Sequence, residues 1–246
     1  MEAPSGQVVD TPSAQEFMRE TLERVSEQEL WAIGDELAAK ATGFAALLGD
    51  GRARELGRAD LRRVLRSVFS ARRRADAILD DLGPERLAAT IELLLHGPGD
   101  LGGRIARFDE ALAGHGEAAF DLPFELLHFT YPERYWLWTR WMWDPRTATG
   151  ALPLVAADEV DLTAPSRADT YAKVGQAVAF VNETGKAAGF TTMADGLLGI
   201  DVFLACVYAV YMFTVLRLRM TQEFTKIVPD LPDLVRRLLG VYRLEV

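Results

Sequence analysis

Cysteine occurs once in the 246 residues, at Cys206. A single thiol cannot build an intramolecular disulfide framework, and it fits a reducing compartment. The opening MEAPSGQVVDTP lacks the apolar run of a secretory signal, so a cytoplasmic setting is expected, with residues 1–12 as a flexible tail. Histidine is scarce too: His96, His115 and His128 leave few ways to assemble a catalytic or metal-binding constellation. The phosphate loop GxxxxGK, the elbow GxSxG, a CxxC pair and HExxH are all absent, so no cofactor and no metal are expected. Lysine is nearly missing, with 4 Lys against 23 Arg. No series of β-rich segments could build a sheet.

Helix signals fill the chain. Ser13 with Glu16, Ser26 with Glu29 and Ser166 with Asp169 have the spacing of a helix-capping pair. Apolar residues recur at helical intervals from Arg58 to Leu82, at Leu61, Val64, Leu65, Val68, Ala75, Ile78, Leu79 and Leu82. Pro84 opens a helix that ends near Gly97, and Asp100 caps another that runs to Gly114. Further helices are expected over 123–129, 132–143, 166–189, 193–228 and 232–240. The reading is an all-α, compact array of about nine helices, a single domain over 13–246, with 97–116 the one place where it could divide. Residues 144–165 form a long connection in which LPLV and EVDL could make at most a two-stranded ribbon.

The net charge of −9 is unevenly spread. Nine arginines between Arg52 and Arg74 face only Glu55 and Asp60, a local +7 that leaves −16 for the rest. Arg58, Arg62, Arg66 and Arg73 fall opposite the apolar stripe of the 58–82 helix, flanked by Arg63 and Arg74. Guanidinium groups in a row suit phosphate or carboxylate; a solvated face paired with the acidic remainder is the plain alternative.

Four of the five tryptophans lie within eight residues of HFTYPERYWLWTRWMWDP, 128–145. Thr130 with Glu133, and Pro132, predict a helix over 132–143 that is apolar nearly all round and therefore mostly buried. One stripe holds Tyr135, Trp138 and Met142. The other side places Trp136, Arg140 and Trp143 together, as a covered cation–π sandwich or as an open stacking platform. YPERYWLWTRW resembles the PxRYPIWNSR segment in the helical accessory regions of McrB-like restriction and defence ATPases and of glycosylase-like helical proteins. Pro132, Arg134, Tyr135 and Trp138 match, and Tyr171 to Phe180 and Ile200 to Ala205 resemble the helices that follow. Trp136 and Thr139 depart from the pattern, and the missing phosphate loop means that no ATPase is implied. The resemblance implies a defence or nucleic-acid setting.

Residues 197–216, LLGIDVFLACVYAVYMFTVL, carry one charge, Asp201. The uninterrupted apolar run of fifteen residues, roughly 22 Å of helix, is short of a bilayer's ~30 Å, so a buried core helix is expected and a membrane-seated one is the rival. A buried Asp201 would need an arginine or a neighbouring helix end. Glu125 and His128 make a single E-x-x-H, half of what a dinuclear metal site requires, and a local Glu–His hydrogen bond is the simpler expectation. The functional expectation is a non-catalytic interaction module whose arginine helix engages nucleic acid or an acidic protein surface. A membrane-associated protein comes second and a helical metal-dependent enzyme third.

Overall fold

The most apolar stretch of the chain becomes its centre. In a computed structural model that describes residues 9–157, 160–188, 197–219 and 229–244, helix α9 (Leu198–Arg219) has Ile200 and Val202 to Ala205 fully buried. Around it pack α1 (Thr11–Leu22), α2 (Glu27–Leu48), α8 (Arg167–Ala188) and α10 (Leu231–Leu238). A second layer comprises α3 (Arg58–Arg66), α4 (Ala75–Leu82), α5 (Pro84–His96), α6 (Leu101–Ala111) and α7 (Glu117–Thr130), with α7 lying on α2. The described residues thus form ten helices and no strand, and one buried apolar cluster runs through both layers. Among them α9 alone is long and apolar enough to cross a membrane, and 67% of Leu198–Val215 is buried inside the fold.

Local chemistry sets several boundaries as the sequence suggests. Ser26 accepts from the Glu29 N–H, Ser166 from that of Asp169 and Asp100 from that of Gly103. At the N-terminus Asp10, not Ser13, caps α1. Val9 bridges Ala156, and the Asp10 N–H donates to Val155 O. Residues 9–12 therefore belong to the fold and not to a tail. The LPLV segment forms a 3-10 turn, Leu152–Leu154, in place of a ribbon strand. The 193–228 helix is described only over Leu198–Arg219; its remaining ends lie outside the described residues.

Two expected helices are corrected. The 58–82 segment breaks after Arg66 and turns through 67–74, so α3 and α4 stand beside each other. All eight of its periodic apolar residues are buried nonetheless, because both helices face one core. The 132–143 helix does not form. Tyr131, which precedes Pro132, leaves the helical region at φ −140° and ψ 69°, as a residue before proline tends to. From there the backbone is held by side chains: Tyr135 O accepts from His128, Trp136 O from Tyr171, Trp143 O from Trp138, and the Arg140 N–H donates to Asp121. These bonds replace the helical ones and keep a buried irregular segment satisfied.

After α10 the chain closes on Gly240 (φ +73°), where an added Cβ would lie 2.1 Å from Ser67 O and 2.8 Å from Lys40 Nζ. Gly240→Ala combines a left-handed backbone with a backbone clash. A loss of about 3 kcal/mol is expected, roughly a 10 °C fall in melting temperature. A shift of only a degree or two would show that this turn is not fixed.

Candidate functional site

Asp121, Glu125 and His128 are spaced four and three apart, which puts them on one face of α7. All three are buried. Each is answered by a different part of the chain, and together they form a polar seam through the apolar core.

At the centre, Lys40 of α2 places Nζ 2.7 Å from Glu125 Oε2 and 2.8 Å from Leu239 O, with the Phe129 ring centroid 3.9 Å away. An ammonium group has three protons, and the two oxygens and the ring face meet them. Burial pulls Lys40 below its ordinary value despite the attraction of Glu125. The same burial lifts Glu125 from 4.5 to about 7, against the opposing pull of Lys40.

One turn further along, His128 Nδ1 donates to Tyr135 O at 2.8 Å while Nε2 lies 2.8 Å from Asp201 Oδ2. Burial acts to lower His128, but the Asp201 carboxylate outweighs it and the imidazole is raised. Asp201 is thus neutralised by a histidine, where an arginine or a helix end was expected; its Oδ1 is buried and hydrogen-bonded to no described residue. Glu125 and His128 do not pair with each other. Among the described residues no three His, Cys, Asp or Glu side chains gather where they could hold a metal ion. Cys206 is sealed in α9, its thiol pushed up to about 12 by burial.

At the N-terminal end of α7 the seam reaches the surface. Asp121 takes the backbone N–H of Arg140 at 2.9 Å and its Nη2 at 3.3 Å, while Arg140 Nη1 lies 2.7 Å from Glu117. Burial raises Asp121, with Arg140 opposing. Arg140 and Glu117 form part of the wall of an open groove of about 740 Å³. Arg66, Arg72, Arg73, Arg237 and Arg243 also line it, so six arginines meet there with two acids, Asp76 and Glu117. Arg72 donates to Tyr242 O at 2.7 Å, Arg237 sits 4.0 Å over the Tyr242 ring, and Phe69 is 49% exposed.

The structure divides the expected arginine row. Arg58 pairs with Asp80, Arg62 with Asp76 and Arg63 with Asp60, so most of the α3 face is the solvated, internally paired surface. Arg74 is exposed in the turn before α4. Only Arg66 and Arg73 of the six reach the groove. Trp136, Arg140 and Trp143 do not form an open platform: Trp143 is 5% exposed, Trp136 packs on Gly175, and Arg140 points to Glu117 and Asp121. Arg72 belongs to the arginine-rich 52–74 stretch, whereas Arg237, Tyr242 and Arg243 come from a sequence-distant segment, and no local signal marked them. Lys40 had one, since it follows Leu37 on the apolar side of α2 in a chain with four lysines.

The chain matches no known family model, no curated protein and no solved structure.

Removing one partner of a buried ion pair costs about 3–5 kcal/mol, whereas replacing both by apolar groups costs far less. Lys40→Met should therefore destabilise strongly and Lys40→Met with Glu125→Leu should recover most of the loss; chemical denaturation that finds the double variant as weak as the single one contradicts the pairing. The pH dependence has a definite sign. Glu125 and His128 are both raised in the folded state, so each contributes stability that is lost as pH rises, Glu125 between 4.5 and about 7 and His128 above its ordinary value. The lowered acids Asp60, Asp76, Glu117, Asp144 and Asp161 act oppositely, but below the ordinary carboxylate range, and Lys40, lowered by burial, acts oppositely on the way up to its ordinary alkaline value. The melting temperature should fall from about pH 5 to about pH 8, and Glu125→Gln should flatten the fall. A temperature that rises across this window would reverse the assignment.

Proposed function

We propose that this protein is a helical interaction module whose arginine groove binds the phosphate backbone of single-stranded nucleic acid, without chemistry of its own in that groove. The observation that carries the reading is the convergence of Arg66, Arg73, Arg140, Arg237 and Arg243 from three separate regions on one concavity. In a chain of net charge −9 such a concentration focuses a positive field where a phosphate can enter. The exposed Phe69 supplies a flat apolar surface of the kind on which a base stacks. The resemblance of the YPERYWLWTRW segment to McrB-like accessory regions implies a defence or nucleic-acid setting, which agrees with this reading. An acidic protein surface would meet the same arginines, and the salt-dependent affinity for an oligonucleotide separates the two partners. A membrane-seated α9 would have to leave the helices that now bury most of it.

Binding of a labelled oligothymidylate at low salt should be salt-dependent. The doubly reversed variant Arg73→Glu with Arg243→Glu should weaken it at least ~10-fold and reduce the salt slope by about 0.7 per lost phosphate contact. Arg58→Gln, on the internally paired face, should leave it nearly unchanged. Binding that is undetectable, or indifferent to Arg73 and Arg243, ends the proposal; retention of an acidic protein with no oligonucleotide affinity would assign the groove to the other class of partner.

A further inference from the structure

At the opposite end of α7, roughly 20 Å along its axis, we propose a second site in which Tyr131 is a nucleophile, His96 its base and Glu92 the carboxylate that orients the base, acting on a neutral carboxylic ester. Glu92 and His96 stand one turn apart on α5, with Glu92 Oε1 3.1 Å from His96 Nδ1. An ionised carboxylate can only accept, so Nδ1 carries a proton and Nε2 of the neutral ring is left as an acceptor. Nε2 lies 2.6 Å from the Tyr131 oxygen, and the phenol donates to it. The backbone N–H of Asp50 donates to that same oxygen at 3.3 Å. It is aimed there by a left-handed pair, Asp50 at φ 54° and Gly51 at φ 81°, a conformation that a non-glycine residue keeps only when its surroundings hold it.

Nucleophile, base and orienting acid in hydrogen-bonded sequence are the arrangement that activates a weak hydroxyl. Glu92 Oε2 is buried and bonded to no described residue, so the carboxylate serves the imidazole alone. The His96 side chain is 25% exposed and Tyr131 is only partly buried, so a reactant can reach them.

The charges nearby select the reactant. Arg134 lies 5.5 Å over the Tyr131 ring and Arg52 lies 4.0 Å from Asp50. Arg104 donates to Leu94 O and Leu95 O just before His96, and Asp50, Glu92 and the neighbouring Glu133 balance these three cations, so the site has no net positive field for an anionic phosphate ester. With a neutral ester, the Tyr131 oxygen attacks the carbonyl carbon: the new O–C bond forms, the ester C–O bond breaks, and the phenol proton passes to Nε2 and then to the departing alkoxide. Acyl-Tyr131 and the alcohol remain, and water hydrolyses the acyl group.

The test is p-nitrophenyl acetate with the full chain, the site of acetylation being read by peptide mass spectrometry. Tyr131 should acetylate at least ~10-fold faster than Tyr211, an exposed tyrosine of the same chain, on the ground that a positioned base contributes a factor of this size or more. His96→Ala should remove that advantage, free imidazole should restore it, and Glu92→Gln should reduce it partially. A folded wild-type protein in which Tyr131 reacts no faster than Tyr211 overturns the proposal. So does a folded His96→Ala variant that retains the full rate.

Discussion

Lys40 and Asp201 each carry a charge into the middle of a helical core, and the fold depends on how α7 answers them. A lone ammonium or carboxylate there would cost several kcal/mol. Glu125 and His128, one turn apart on a single helix, reduce that cost by lying 2.7 Å and 2.8 Å from their partners. The consequence is positional. Since Lys40 is on α2, Asp201 on α9, and Leu239 just beyond α10 supplies a third acceptor, these two pairs fix α7 against three elements from distant parts of the sequence. Apolar packing tolerates small slides and rotations, whereas a buried ion pair requires one register.

Both ends of α7 inherit that rigidity. Toward its start, Asp121 holds the backbone and side chain of Arg140, which sets one wall of the arginine groove. Toward its end, His128 holds Tyr135 O, and Tyr131 leaves the helix to meet His96. The tryptophan-rich segment is pinned between these contacts as irregular chain with turns at 132–134 and 140–142. Its indoles serve as core: Trp138 is fully buried against Phe124 and Phe120, and its N–H closes on Trp143 O.

Much of this was legible in the sequence and some was not, for identifiable reasons. The helical class, the buried α9 and the caps at Ser26, Asp100 and Ser166 follow from periodicity and short-range chemistry, which act within a turn or two. The 132–143 segment has helical periodicity and lacks a helix because its backbone partners, Asp121, His128 and Tyr171, lie outside the window in which periodicity is read. The arginine row failed differently. Asp76 and Asp80 were visible in the same stretch, but they oppose Arg62 and Arg58 only once the chain turns at 67–74. The groove depends on Arg237 and Arg243, some 170 residues away in sequence, and so became visible only in three dimensions. In the sequence Glu125 and His128 read as half of a metal site; in the fold Lys40 takes Glu125 and Asp201 takes His128.

The protonation of His128 is the most direct probe of this account. Tyr135 O can only accept, and an ionised Asp201 can only accept, so an imidazole that satisfies both must donate from both nitrogens. Ring 15N chemical shifts recorded near neutral pH should show His128 doubly protonated, with two slowly exchanging N–H protons. A neutral His128 with one N–H proton would mean that the pair with Asp201 is not sealed in the core, and the constraint on α7 would have to come from elsewhere.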